Sequence, residues 1–211
     1  MKRQILFWSG ILGVILFTLT TVIGGILNPN YHFISQFISE LYAVDAPNAD
    51  LLRFYGYLPS GVFFILFAVF LHAVLPKSAG TTLGCILFGF GYGFGTIVCS
   101  IFNCDVGCNP FFVNPSLSQF IHNAMGMLTY LLTPIGLLCI GISVRKKLFY
   151  SNFSIVIAVL SFLFVLVLNV AIQTPYKGII QRVIEGSFLI WIAYSAFYLS
   201  KNLINKSEIK I

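Results

Sequence analysis

Six uninterrupted apolar runs divide this chain, and almost all of its fixed charge lies in the gaps between them. A helix needs about 20 apolar residues to cross a hydrocarbon core of roughly 30 Å. The runs Ile5–Leu27, Gly56–Leu75, Thr82–Phe102, Phe120–Val144, Phe153–Gln173 and Ile180–Ser200 all meet that length. They are continuously apolar rather than alternating residue by residue, which predicts helices and not a barrel. Of the 211 residues 58% are hydrophobic and 9% charged, a balance foreign to water-soluble domains. The sequence therefore predicts an all-α polytopic membrane protein, a single six-helix transmembrane bundle over residues 1–211, with the lipid bilayer as its partner.

Charge then sets the orientation. With Met1 in the cytoplasm, Lys2, Arg3, Lys77, Arg145, Lys146, Lys147, Lys201, Lys206 and Lys210 fall inside, and only Arg53, Lys177 and Arg182 fall outside. Lysine and arginine bias in short loops fixes topology, so both termini are expected to be cytoplasmic. The acids sort oppositely: Glu40, Asp45, Asp50, Asp105 and Glu185 lie at the outer side and Glu208 inside. These anchors account for the net charge of +6, and no nucleic-acid partner is implied. The first run follows Met1, Lys2 and Arg3 as a secretory leader would. It outlasts a leader's apolar core and ends without a small-x-small cleavage site, so it is read as a retained helix.

Ionisable groups inside a bilayer are costly and face the bundle interior or a cavity. His122 and Asn123 stand at the outer end of the fourth run, and Arg182 and Glu185 at the outer end of the sixth. Arg182 and Glu185 are three positions apart, on one helix face, where they can form a local ion pair. The alternative is an outward pocket lined by His122, Asn123, Asp105, Arg182, Glu185 and the stripe Ser35 to Glu40. Such a pocket, polar at headgroup level and apolar below, suits an amphiphile, with Arg182 contacting a phosphate or carboxylate. In the first outer loop Phe33, Ile34, Phe37, Ile38 and Leu41 recur at helical spacing, which predicts an amphipathic helix lying in the interface. Its polar face, with Ser39 and Glu40, is either solvated or part of the pocket.

Cys104 and Cys108 flank Asp105 in the second outer loop. They are read either as a disulfide, permitted on an oxidising side, or as a metal thiolate pair. The second reading lacks a further Cys or His pair at finger-like spacing. A metal hydrolase would need three ligands from His32, His122, Asp105, Glu40 and Glu185, and no His-x-x-x-His pair exists. No metal and no cofactor is implied. The third run carries Gly89, Gly91, Gly93 and Gly95, a spacing that lets helix backbones approach, either within the bundle or at a dimer face.

Four segments carry a family resemblance. Ile38-Ser39-Glu40-Leu41-Tyr42, Cys104-Asp105-Val106-Gly107-Cys108, Ile121-His122-Asn123 and Gly178-Ile179-Ile180-Gln181-Arg182-Val183 resemble, in order and spacing, the bacterial and archaeal membrane family catalogued as domain of unknown function 998. The resemblance implies a six-helix membrane protein with no assigned activity. Gln181 departs from the pattern, in which an acid often precedes the arginine, leaving Glu185 as the partner of Arg182. The expected place is the bacterial inner membrane. The expected function is binding or transport of a lipid-like or small anionic ligand at the outer mouth through Arg182, Glu185, His122, Asn123, Ser39 and Glu40. The alternatives are a membrane-embedded lipid hydrolase using His122 with Asp105 or Glu185, and a small structural or assembly subunit resting on the glycines.

Overall fold

In lipid every backbone N–H and C=O must be bonded within the protein, and a helix meets that demand inside each run. A computed structural model describes residues 1–146 and 148–201 of the chain. Its long helices are α1 (Lys2–Leu27), α2 (Ala49–Val74), α3 (Ala79–Ile101), α4 (Leu117–Ser143), α5 (Leu148–Ala171) and α6 (Lys177–Lys201), all long and apolar enough to cross a membrane. Among the described residues there is no strand. The chain is an all-α, multi-pass membrane protein. Lys147, Lys206, Lys210 and Glu208, with the C-terminal tail expected to extend the last helix, lie outside the described residues.

Each helix packs on its neighbours in chain order, and α6 returns to α1, closing a ring. Met1 and Lys201 line one cleft, so both mark the same end of the bundle. The loops 28–48 and 102–116 occupy the opposite end, called here the loop end. Aromatic side chains from four helices meet at the centre. Tyr92 of α3 lies 4.8 Å from the Phe64 ring of α2, 6.3 Å from Phe17 of α1 and 5.3 Å from Phe188 of α6. One level toward the termini, Trp191 of α6 packs on Phe88 at 5.3 Å and Phe67 at 6.1 Å. Apolar lipid gives helices no hydrophobic reason to associate, so such contact and small-residue packing must hold the ring.

The glycines of α3 supply the small residues, and they do so inside the bundle. An added Cβ at Gly89 or Gly93 would meet Ala68 or Ile65 of α2, and one at Gly91 or Gly95 would meet Thr133 or Thr129 of α4. Of the two readings of this stripe, these contacts fit packing within the bundle: alternate glycines seat the two neighbouring helices.

Two helices widen locally to π geometry. In α2 this happens over Arg53–Tyr57, just ahead of Pro59, whose missing N–H breaks the regular ladder. In α3 it happens over Gly89–Phe94. Each widened turn carries one tyrosine turned inward, Tyr57 and Tyr92, both 1% exposed. Helix α2 also begins at Ala49 rather than Gly56. The polar residue inside its first turns, Arg53, is buried because it donates to the carbonyls of Ser100 and Ile101 at the end of α3, each at 2.7 Å. A cation over the last carbonyls of a helix is favourably placed.

Candidate functional site

The first loop does not form the interfacial helix its spacing predicts. It makes a turn and then a short 3-10 helix, Ile38–Tyr42, with Ile38 and Leu41 inside the core. The reason lies in α6. Gln181 Oε1 accepts from the Ile38 N–H at 2.7 Å. Arg182 Nη1 donates to the carbonyls of Phe33 at 2.7 Å, Gln36 at 3.0 Å and Gly178 at 2.9 Å. Its Nη2 donates to the Tyr31 hydroxyl. Burial pushes the Tyr31 phenol up to about 12, the Arg182 charge pulling the other way. These bonds draw the loop backbone onto the mouth of the bundle, a stronger claim on it than an interface helix would have.

Glu40 is buried with the loop. It accepts from the Phe37 N–H and Gln36 Nε2, both at 2.9 Å, and pairs with Lys177 at 3.3 Å. The solvated reading of this polar stripe does not hold for Glu40. Ser39 is half-buried, its hydroxyl 3.3 Å from Cys108 Sγ.

The ion pair expected between Arg182 and Glu185 does not form. Among the described residues the ion pairs are Arg53 with Asp50 at 3.1 Å and Lys177 with Glu40. Glu185 instead accepts from the hydroxyls of Tyr92 of α3 and Tyr130 of α4, each at 2.9 Å. Tyr130 accepts in turn from Gln181 Nε2 at 2.8 Å. The direction of this chain is fixed from its far end. The Ile38 N–H can only donate, so it takes the Gln181 oxygen and leaves the amide nitrogen for Tyr130. Tyr130 must then turn its own proton to Glu185. The carboxylate is surrounded as an acceptor, and among the described residues no cation pairs with it.

Arg182 and Glu185 nevertheless share a space. A cavity of ≈ 280 Å³ lies between α1 and α6 near the loop end. Arg182 and Glu185 are its charged walls, Thr21 is polar, and Phe17, Ile38 and Leu189 are apolar. Thr18, Val22 and Phe33 also line it and remain exposed, so the cavity opens sideways through the seam between the two helices. Among the described residues, buried Arg182 Nε has no hydrogen-bond partner. A rise of about 1.5 Å per residue sets Glu185 about 12 Å into the bundle from Lys177.

The second loop is a separate structure. Cys104 and Cys108 are joined in a disulfide, which displaces the thiolate-pair reading. Asp105 Oδ2 accepts from the Ser116 N–H at 3.0 Å, at the start of α4. Hydrogen bonds from Ser116 hold its carboxyl below the ordinary range. Gln119, fully buried, accepts from the Asp105 N–H at 2.7 Å and donates to the Cys108 carbonyl at 3.2 Å and Asn123 Oδ1 at 2.9 Å. His122, also buried, has Nδ1 2.8 Å from the Phe102 carbonyl. His122, Asn123 and Asp105 stand outside the α1–α6 cavity. Among the described residues no three His, Cys, Asp or Glu side chains are placed to hold a metal ion, so the three-ligand set weighed for a hydrolase does not assemble.

Sequence reasoning missed Tyr31, Tyr92, Tyr130 and Gln119. The signal for the two span tyrosines is their hydroxyl, which needs a partner in the middle of an apolar run. Gln181, which departs from the family pattern, is the joint between loop, Tyr130 and Glu185.

No curated protein and no solved structure matches the chain. Residues 11–198 match the sequence profile of a family described as "Protein of unknown function (DUF998)". That stretch covers α2 to α5 whole and most of α1 and α6, and it contains every residue of the cavity and its hydrogen-bond chain. The chain therefore belongs to the DUF998 family.

Proposed function

We propose that this protein binds a single-chain amphiphile from the membrane, with its acidic head at Arg182 and its tail in the seam between α1 and α6. The observation that carries this reading is the cavity itself, which is charged at Arg182 and Glu185, largely apolar elsewhere and open sideways. An aqueous solute would meet a site open mainly to lipid, whereas a membrane amphiphile approaches it from the side. Arg182 lines the cavity and has the chemistry for the head, because guanidinium recognises phosphate and carboxylate through adjacent donors. The loop end is assigned to the outside, supported by the bias of lysine and arginine toward the termini end and by the disulfide on the loop. Alkaline phosphatase fused after Ile211 is expected to be inactive, and an active fusion would reverse this assignment.

The binding test uses Gly186, which lines the cavity and where an added Cβ meets nothing within 4 Å. Gly186→Leu is expected to fill the space without disturbing the fold. Helix propensity adds up to about 1 kcal/mol of stability at such a position. Native mass spectrometry with lysophosphatidylethanolamine should show occupancy falling about tenfold or more, with thermal stability unchanged or raised. Equal occupancy in the variant and the parent would refute the cavity as the site.

A further inference from the structure

Arg182 and Glu185 are opposite charges on one face of one helix, and the protein keeps them from pairing. The guanidinium is turned to loop carbonyls and Tyr31, and the carboxylate to two tyrosine hydroxyls. Among the described residues neither has a counter-ion within salt-bridge reach. Both line the same cavity. A charge left uncompensated in a low-dielectric setting is costly, and here two such charges of opposite sign stand one helical turn apart.

From this we infer that the amphiphile is zwitterionic, with a phosphate on Arg182 and an ammonium on Glu185. This rests on the binding reading above and names the headgroup it takes. The two charged ends sit at successive levels of one helix face, the guanidinium bonded back to the Gly178 carbonyl and the carboxylate to Tyr92 and Tyr130, so a head with phosphate and ammonium at opposite ends has a partner for each. The acceptor geometry supports the assignment. The chain running from Ile38 through Gln181 and Tyr130 delivers a proton to one Glu185 oxygen, and Tyr92 delivers one to the other. Each oxygen retains a lone pair for a third donor. The same pair of charges selects against simpler heads. A purely anionic head brings its charge toward Glu185, and a purely cationic one toward Arg182, so each meets repulsion as well as attraction.

The experiment compares three probes of identical acyl chain on the intact protein in a neutral maltoside detergent: lysophosphatidylethanolamine, its N-acetylated derivative and lysophosphatidylglycerol. Acetylation removes the ammonium and keeps the phosphate. The parent protein is expected to bind the first about tenfold more tightly than either of the others, and Glu185→Gln to bind all three alike. Equal binding of the amine and its acetylated form by the parent overturns the inference, as does a preference that survives in Glu185→Gln. Should that variant fail to fold, the probe comparison on the parent decides alone. The two readings fail differently. If all three probes bind equally and Gly186→Leu blocks them, the cavity stands and the zwitterion falls; if none binds the parent, both fall.

Discussion

Gly178→Leu is expected to dislodge the first loop from the bundle and to remove most of the site with it. A Cβ at this position would lie 2.7 Å from the Phe33 carbonyl oxygen and 2.8 Å from the Gln36 nitrogen, and closer still to the Gln36 carbonyl oxygen. All three are backbone atoms, so no side-chain rotation relieves the clash. The same two carbonyls bind Arg182. The substitution therefore breaks the tether while forcing the loop away, and a cost of about 4 kcal/mol or more is the scale for breaking a buried network. Thermal unfolding in detergent and limited proteolysis within residues 28–48 would register it. Gly186→Leu, two turns along the same helix, is the control: if both variants melt alike, the loop contact is not what Gly178 protects.

Trp191→Ala is expected to be the most destabilising truncation in the core. The side chain is fully buried, reaches past its own neighbours to Phe67 and Phe88, and donates to Ser154 Oγ at 2.9 Å. Removing a buried tryptophan costs about 3–5 kcal/mol, through lost contacts and the void left behind. Trp191→Phe keeps most of the packing and gives up the hydrogen bond, a loss of about 1 kcal/mol. Denaturation followed by helical circular dichroism should separate the two variants clearly. A similar midpoint for both would mean that contact across the axis contributes little.

The crossings are legible in the sequence because apolar length is a one-dimensional property, and a bilayer reads it in one dimension. The site residues are only half legible. Arg182 and Glu185 stand out as charges in an apolar run, yet spacing alone pairs them, since it sees only neighbours on one helix. Their real partners, the carbonyls of Phe33 and Gln36 and the hydroxyls of Tyr92 and Tyr130, are brought by other elements and carry no charge to betray them. The first loop is misread for a related reason. Its apolar period is real, but the faces it implies are claimed by Gln181 and Arg182 before a regular helix forms. His122 and Asp105 are conspicuous by residue type, and their bonds hold the second loop to the ends of α3 and α4 instead.

The interleaved rings at the middle of the helix circle have a consequence for traffic. Tyr92, Phe64, Phe88 and Trp191 pack against one another across the axis, and all four are fully buried. A headgroup that reaches Glu185 has to slip in from the flank, its hydrocarbon chain never leaving the bilayer.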